Sequence, residues 1–263
     1  MEIPIYQVDA FSSELFAGNP AAVCPLNEWL DDTKMQAIAA ENNLSETAFF
    51  VPVDDGYHLR WFTPKVEVPL CGHATLATGH IVLNILRPDM DRVIFDTHSG
   101  PLEVRRDTVA GRLAMSLPAM FNTQTVAMDA FADALGKMPV EIYAGPYPMA
   151  VYNSEEVVRA LRPDMAKLSN MGGGVIVTAA GDCGAKYDVI SRFFAPAKGV
   201  PEDPVTGSAH CQIIPYWAKR LGRAELTAYQ ASERGGFLYC TNAGGRVILC
   251  GDCALYLQGT ILI

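Results

Sequence analysis

The alternation of apolar and polar positions along the chain predicts more strands than helices. Alternating or continuous apolar runs bounded by turn residues predict strands at residues 3–10, 21–24, 47–53, 112–117, 174–179, 245–250 and 254–263. The last two runs are almost uninterrupted apolar stretches, so we expect both of them to lie in the core.

Helical spacing of apolar residues predicts fewer elements. One helix is expected from Asn27 to about Asn42, with a buried stripe formed by Leu30, Met35 and Ile38. A short helix is expected at 154–161. Each half also contains one strongly apolar helix, at 74–86 and 209–221. A curved sheet wrapped around each apolar helix is an economical way to bury it.

The chain carries one strand-turn-helix pattern twice. Residues 60–64 (Arg-Trp-Phe-Thr-Pro) lead into 69–74 (Pro-Leu-Cys-Gly-His-Ala), and residues 192–196 (Arg-Phe-Phe-Ala-Pro) lead into 204–209 (Pro-Val-Thr-Gly-Ser-Ala). Such a repeat predicts one domain built twice, with ligand bound in the cleft between the copies. We expect domains at 1–118 and 119–263, and the last strand could return to the first.

Composition narrows the classes of function. The chain has 263 residues, half of them apolar, and a net charge of −9, with 20 unclustered Lys and Arg residues. These features argue against a nucleic-acid or anionic-membrane partner. Neither a signal peptide nor a membrane-spanning run is visible, so a cytoplasmic protein is expected. The seven cysteines are then reduced thiols, and the isolated CxxC spacing of Cys250 and Cys253 does not favour a zinc or redox centre.

A glycine begins each of the two strongly apolar helices. Gly72 and Gly207 lie where unpaired backbone N–H groups and the helix dipole attract an anion, and glycine lets a ligand approach closely. Two such helix starts facing one another would hold a carboxylate without an arginine. The alternative is that each glycine only permits a tight turn.

The segment Ser45-Glu46 introduces a carboxylate into an otherwise apolar run. Loss of hydration there would raise the pKa of Glu46 and make it a proton carrier near neutral pH. The alternative is a solvated glutamate at the start of a strand. The second half has Met171, Gly172 and Gly173 at the corresponding place, so only the first half supplies an ionisable group.

Two further residues have chemistry that suits the same site. Asp203, four positions before Gly207, could cap the helix or its preceding turn, or act as a second acid or base. His73 has an ordinary pKa suited to proton relay, or it is a simple hydrogen-bonding residue at a helix start.

Cys71, beside a helix start, is a candidate nucleophile because a thiol there should have a lowered pKa. The repeat places Thr206 at the matching position, and Cys211 within the following helix is expected in the core. A racemase with two cysteine bases is therefore disfavoured, and an enzyme with one thiol nucleophile stays as an alternative.

Six motifs in order resemble the PhzF-like family of phenazine biosynthesis, which belongs to the superfamily with the diaminopimelate epimerase fold. They are residues 8–11 (Val-Asp-Ala-Phe), 18–23 (Gly-Asn-Pro-Ala-Ala-Val), 45–49 (Ser-Glu-Thr-Ala-Phe), 60–64, 71–75 (Cys-Gly-His-Ala-Thr) and 202–209 (Glu-Asp-Pro-Val-Thr-Gly-Ser-Ala). The resemblance implies an α+β fold with two pseudo-symmetric halves, each a rolled mixed β-sheet around a central α-helix.

The resemblance also implies a function: a homodimeric isomerase, independent of cofactor or metal, that moves a proton on a small carboxylic acid. The family's catalytic residues fall on Glu46, His73 and Asp203. Its substrate-binding positions fall on Ser45, Gly72, Gly207 and Ser208. A departure lies at Gln230-Ala231, where the family tends to carry Gln-Gly followed by Gly-Arg.

These observations predict an isomerase in which Glu46 takes a proton from one carbon and returns it to another, as an allylic shift or an epimerisation. The substrate carboxylate would lie against the N–H groups near Gly72 and Gly207 and the hydroxyl of Ser208, while Asp203 and His73 steer the developing charge. The alternative from another class is a non-catalytic protein that binds a small carboxylate in the same cleft.

Overall fold

The computed structural model describes residues 1–109, 111–125 and 128–263. The chain forms two compact units. The first unit consists of Met1–Ser116 together with Cys250–Ile263, and the second of Leu117–Leu249. The sequence places the division after residue 118. No helix in the described ranges combines the length and apolar character needed to cross a membrane.

The described residues form a mixed sheet with few helices, an α+β fold as predicted. The strands are β1 (Glu2–Ala10), β2 (Asn19–Pro25), β3 (Glu46–Val53), β4 (Gly56–Phe62), β5 (Glu67–Val68), β6 (Arg92–Asp96), β7 (Leu102–Arg106), β8 (Leu113–Pro118), β9 (Thr123–Thr125), β10 (Glu141–Ala144), β11 (Met149–Val151), β12 (Val175–Ala180), β13 (Val189–Ala195), β14 (Val200–Glu202), β15 (Glu225–Gln230), β16 (Gly236–Asn242), β17 (Arg246–Gly251) and β18 (Cys253–Leu262). The helices are α1 (Asp32–Asn42), α2 (Gly72–Ile81), α3 (Met128–Leu135), α4 (Glu155–Ala160), α5 (Met165–Asn170) and α6 (Gly207–Leu221), with a π-helical turn at Val82–Leu86 and a 3₁₀ turn at Pro196–Lys198.

In the first unit, strands surround the apolar helix α2. β1 pairs antiparallel with β2 and β18, β2 pairs parallel with β3, and β3 pairs antiparallel with β4, which pairs parallel with β6. α2 packs against β1, β2, β3, β7 and β18. Ala74, Leu76, Ala77 and Ile81 are fully buried, so this helix forms the centre of the unit's core.

The second unit repeats the same order of pairings. β11 pairs parallel with β12, β12 pairs antiparallel with β13, and β13 pairs parallel with β15. The apolar helix α6 packs against β15 and β16 and buries Ile213, Ile214 and Trp217. The two predicted halves, each a mixed sheet around one helix, are therefore confirmed.

The predicted start of the first helix is wrong. α1 begins at Asp32 rather than at Asn27, because the first helical hydrogen bonds run from the N–H groups of Lys34 and Met35 to the carbonyl of Asp31. Leu30 packs against the core from outside the helix. The predicted end is confirmed, since Asn43 adopts a left-handed conformation (φ 50°) that terminates the helix.

The expectation that both C-terminal strands lie in the core is wrong for β18. β17 alternates between buried and half-buried residues, but most side chains of β18 are exposed. Leu255, Tyr256 and Leu257 are 37%, 47% and 42% exposed. β18 is hydrogen-bonded to β1 along its whole length, so backbone pairing rather than side-chain burial fixes its place in the unit.

Gly79 allows α2 to approach the sheet of the first unit closely. A Cβ atom at this position would lie 2.5 Å from Cγ1 of Val104 on β7. Alanine is the better helix former, so the Gly79→Ala variant would be more stable if nothing touched this position. We expect it instead to lower the free energy of unfolding by about 1–3 kcal/mol, because overpacking displaces Val104 or the helix.

The matched control is Gly245→Ala, where a Cβ atom would meet nothing within 4 Å. We expect that change to alter stability by no more than about 0.5 kcal/mol. Urea unfolding of both variants measures the difference. Equal stability of the two variants would show that the contact between α2 and β7 is looser than described.

Candidate active site

His73 is the centre of a cluster of polar side chains in the first unit. It lies in the first turn of α2 and is 4% exposed. Its Nε2 atom lies 3.2 Å from Oε2 of Glu46. Its Nδ1 atom lies 3.2 Å from Nδ2 of Asn19 and 3.5 Å from Sγ of Cys71. The imidazole therefore connects the predicted proton carrier to an amide and a thiol.

Two parallel strands deliver the partners of His73. Asn19 is the first residue of β2 and Glu46 the first residue of β3, and the register pairs Ala21 with Glu46. The two side chains consequently reach opposite nitrogens of the same ring. The sequence analysis did not single out Asn19 as a site residue, and it names this position only within the motif at residues 18–23. The signal was a polar residue directly before a proline and an apolar strand.

The partners of His73 determine where its proton resides. The amide nitrogen of Asn19 can only donate, so Nδ1 accepts and the ring proton lies on Nε2, facing the Glu46 carboxylate. This contact is electrostatic rather than an aligned hydrogen bond. Burial lowers the pKa of His73 to about 3, so the ring is neutral near pH 7. The ordinary pKa assumed from the sequence does not apply here.

The same cluster contains a set of potential metal ligands. A carboxylate oxygen of Glu46, Sγ of Cys71 and a ring nitrogen of His73 lie within 4.8 Å of one another. Sulfur, imidazole and carboxylate ligands are those that Zn²⁺ accepts in proteins.

The other two predicted site residues of the first unit are neighbours in sequence of Glu46 and His73. Ser45, half-buried, precedes β3, and buried Gly72 begins α2.

In the second unit, Ser208 occupies the place that His73 has in the first, directly after the glycine that starts α6. Its Oγ atom lies 3.2 Å from the hydroxyl of Tyr147. Gln212 holds the backbone of Tyr147 at both ends, because its amide oxygen accepts from the Tyr147 N–H (3.1 Å) and its amide nitrogen donates to the Tyr147 carbonyl. Lys198 places Nζ 5.5 Å above the tyrosine ring.

Tyr147 was also missed from the sequence. The segment around it aligns with residues 17–23 when Pro148 is matched to Pro20, and this alignment places Tyr147 at the position of Asn19. In each unit, the residue before this proline contacts the residue after the helix-starting glycine at 3.2 Å. The repeat thus preserves the contact while exchanging an amide–imidazole pair for a pair of hydroxyls.

Asp203 lies in the turn that leads from β14 into α6. Its carboxylate accepts a hydrogen bond from the hydroxyl of Thr206, the residue before the helix. The buried side chain of Gln230 spans the same turn, donating to the Asp203 carbonyl (2.7 Å) and accepting from the Thr206 N–H (2.9 Å). Gln230 therefore fixes the conformation of the turn that carries Asp203. The next residue, Ala231, departs from the family pattern, but Gln230 itself has this structural role.

An arginine in each unit fixes the strand that precedes the glycine turn. Arg60 on β4 donates two hydrogen bonds to Glu67 on β5, both 2.7 Å long. Arg192 on β13 donates in the same way to Glu202 on β14, at 2.7 and 2.9 Å. Such paired, charge-assisted contacts are geometrically specific. They explain why an arginine opens both copies of the repeat.

His210, inside α6, is buried and was not singled out from the sequence. Its Nδ1 atom lies 2.8 Å from the carbonyl of Thr206, to which it donates, and Nε2 lies 3.4 Å from Oγ of Ser191. Burial lowers the pKa of His210 to about 4, although the hydrogen bond to Thr206 opposes the shift. The histidine is therefore neutral in the folded protein at pH 7.

The lowered pKa of His210 predicts that acid destabilises the fold. Below its ordinary pKa of about 6.5 the unfolded chain binds a proton that the folded chain does not, down to about pH 4. Stability from this group is thus complete above pH 6.5 and falls by at most about 1.4 kcal/mol per pH unit below it. In His210→Asn, whose amide can still donate to Thr206, the loss of unfolding free energy between pH 7.5 and 5 should be about 2 kcal/mol smaller. Urea unfolding at both pH values measures this, and an unchanged pH dependence would contradict it.

Comparisons with known proteins agree with this architecture. Residues 8–259 match the family model described as phenazine biosynthesis-like protein. The chain is 48% identical to the "Uncharacterized isomerase PA2770" of Pseudomonas aeruginosa over 99% of both chains. It is 44% identical to a phenazine biosynthesis protein of the PhzF family from Enterococcus faecalis, whose crystal structure it matches over 100% of both chains with a TM-score of 0.96.

A more distant structure shows the extent of the fold. A hydroxyproline epimerase from Agrobacterium vitis is 11% identical, with a TM-score of 0.65 over 99% of this chain and 92% of that one, which is a likeness of fold alone. This chain therefore shares its fold with that epimerase. Because the family model and the relatives span almost the whole chain, the protein belongs to the PhzF-like family of phenazine biosynthesis-like proteins.

Proposed function

We propose that the protein is an isomerase that moves a proton between two carbons of a small carboxylic acid, with Glu46 as the general acid and base. The product would result from an allylic shift or an epimerisation. The observation that carries the proposal is the half-buried Glu46 carboxylate, 3.2 Å from the buried, neutral imidazole of His73. Two relatives are named as uncharacterized isomerases, and these names support the proposed reaction class.

The proposed role of His73 is to position Glu46 and stabilise its charge. A neutral ring with its proton on Nε2 presents a dipole to the carboxylate without fixing it in a strong ion pair. In this proposal the Glu46 carboxylate accepts a proton from one carbon and returns it to another. Asn19 contributes indirectly, because its amide on Nδ1 selects this tautomer.

In this proposal, backbone N–H groups at a helix start hold the substrate carboxylate, and the candidates are the start of α2, at Gly72, and the start of α6, at Gly207. The first turn of each helix has donors without intrahelical partners, and neither helix has an acidic residue there to occupy them. Ser208 and its neighbour Tyr147 would donate hydroxyl hydrogen bonds to substrate oxygens, and Asp203 would orient a polar group of the substrate.

A carboxylate-binding protein without catalysis is the alternative, and product formation separates the two. The protein is incubated with a panel of small unsaturated and α-chiral carboxylic acids, and NMR follows each for a shifted double bond or an inverted centre. Thermal denaturation with the same acids reports binding. Turnover of at least one acid is expected. Strong stabilisation by an acid that is never converted would favour the binding protein.

A further inference from the structure

We propose that Asp9 is a positioning residue for the candidate active site, and that it acts through Asn19 on the imidazole of His73. Asp9 belongs to the motif at residues 8–11 and is 1% exposed on β1. Proteins seldom bury an acidic side chain unless it has a partner to hold. The proposal rests on the proposed function only for its effect on turnover, because the effect on His73 is structural.

The side chain of Asp9 holds the loop that connects β1 to β2. Its Oδ2 atom accepts a hydrogen bond of 2.9 Å from the backbone N–H of Phe16. The two residues are seven positions apart, so this bond closes the loop across its base. The end of β1 is thereby connected to the segment that enters β2.

The loop contains backbone conformations that side-chain-bearing residues seldom adopt. Phe11 has a φ of 64°, Phe16 a φ of 68° and Gly18 a φ of 69°. A positive φ in a bulky residue persists only when its surroundings support it. Phe11 is fully buried, so packing supports it. Phe16 is 68% exposed and only meets the ring edge of Tyr256, so its conformation depends on the hydrogen bond to Asp9.

The residue that Asp9 holds lies three positions before Asn19. Ala10 and Asn19 form the last pair between β1 and β2, next to the pair of Asp9 with Pro20. The end of a ladder opens most readily, so the geometry of this pair depends on the loop before it. Asn19 is fully buried, and its Nδ2 atom lies 3.2 Å from Nδ1 of His73. A displaced loop consequently moves the amide that selects the tautomer of His73.

Loss of this amide changes where the ring proton of His73 resides. Nδ1 then keeps only the weak contact with the thiol of Cys71, at 3.5 Å. The proton distributes between both nitrogens, and part of the molecules lose the N–H that faces Glu46. Removing a neutral hydrogen bond changes such a ratio by about fivefold.

The test measures the tautomer of His73 by ¹⁵N NMR of protein labelled at histidine. His73→Gln identifies its signals among those of the five histidines. We expect the Nε2–H tautomer in the unaltered protein and a ratio shifted by about fivefold toward Nδ1–H in Asp9→Ala. Asp9→Asn should keep the original tautomer, because its amide oxygen can accept from the same N–H. If Asp9→Ala does not fold, Asp9→Ser replaces it, since its hydroxyl is too short to reach Phe16.

Two further variants separate positioning from a general loss of stability. Gly79→Ala disturbs the same unit near the other end of α2 and should leave the tautomer unchanged. Phe16→Gly adopts a positive φ without support, so adding it to Asp9→Ala should restore most of the original tautomer. An unchanged tautomer in Asp9→Ala, the same shift in Gly79→Ala, or no restoration in the double variant would overturn the proposal.

Turnover is a separate measurement on the same variants. If the proposed function is correct, Asp9→Ala lowers kcat by about tenfold, less than the loss of the acid or base itself. The dissociation constant of the converted acid should change by less than about threefold, because Asp9 does not contact the substrate. A shifted tautomer with unchanged kcat would confirm the role of Asp9 and contradict the role proposed for His73.

Discussion

Replacing Glu46 by glutamine is expected to lower turnover by about 10²–10⁴-fold, the usual contribution of a positioned general acid or base. The amide keeps the volume of the carboxylate and can still place an oxygen near Nε2 of His73, but it cannot accept a proton from carbon. Folding and substrate binding should consequently be preserved. The measurements are kcat on an acid converted by the unaltered protein and the dissociation constant for that acid.

The control for this variant is Glu41→Gln, since Glu41 is an exposed residue of α1. It removes the same charge from the surface and should leave kcat unchanged. Turnover near the original level in Glu46→Gln would show that another group is the base. Cys71 would then be the next candidate, because it contacts the same imidazole.

Replacing Arg192 by leucine is expected to lower the free energy of unfolding by about 3–5 kcal/mol. Arg192 is 8% exposed, and its guanidinium makes the paired contact with Glu202. Its Nη1 atom also donates to the carbonyls of Leu161 (2.9 Å) and Val158 (3.2 Å) near the end of α4. Leucine would leave a carboxylate and these carbonyls without their donor.

The matched control is Arg92→Leu, because Arg92 pairs with Glu103 at 3.3 Å while remaining 69% exposed. Exposed pairs contribute little, so a change of no more than about 0.5 kcal/mol is expected. Arg192→Lys should lie between the two, as it keeps the charge but not the two parallel hydrogen bonds. Urea unfolding orders the three variants. A loss in Arg192→Leu no larger than in Arg92→Leu would contradict the structural role given to the arginine.

The sequence repeat predicted the architecture well, because the same apolar spacing produces the same strands and helix in each unit. The repeat also placed Gly72 and Gly207 at helix starts, because a glycine directly before an apolar run with helical spacing can be recognised from the neighbouring residues alone. The start of α1 could not be predicted in the same way. Leu30 fits the apolar spacing of the predicted helix, yet it lies in the segment before α1 and packs against the core from there.

The site could be predicted only where chemistry was visible in single residues. Glu46 and His73 stood out as ionisable side chains in apolar surroundings. Asn19 and Tyr147 did not, because their roles depend on which strands bring them to a helix start. The lowered pKa of His73 could not be predicted from the sequence either, because the burial that lowers it results from the packing of the whole first unit.

The most direct test of the account follows deuterium from solvent into carbon. The protein and Glu46→Gln are each incubated in D₂O with an acid that the unaltered protein converts, and mass spectrometry measures the label in substrate and product. We predict incorporation with the unaltered protein and none above the uncatalysed level with Glu46→Gln, although both bind the acid. Equal incorporation by the two proteins would contradict the claim that Glu46 moves the proton.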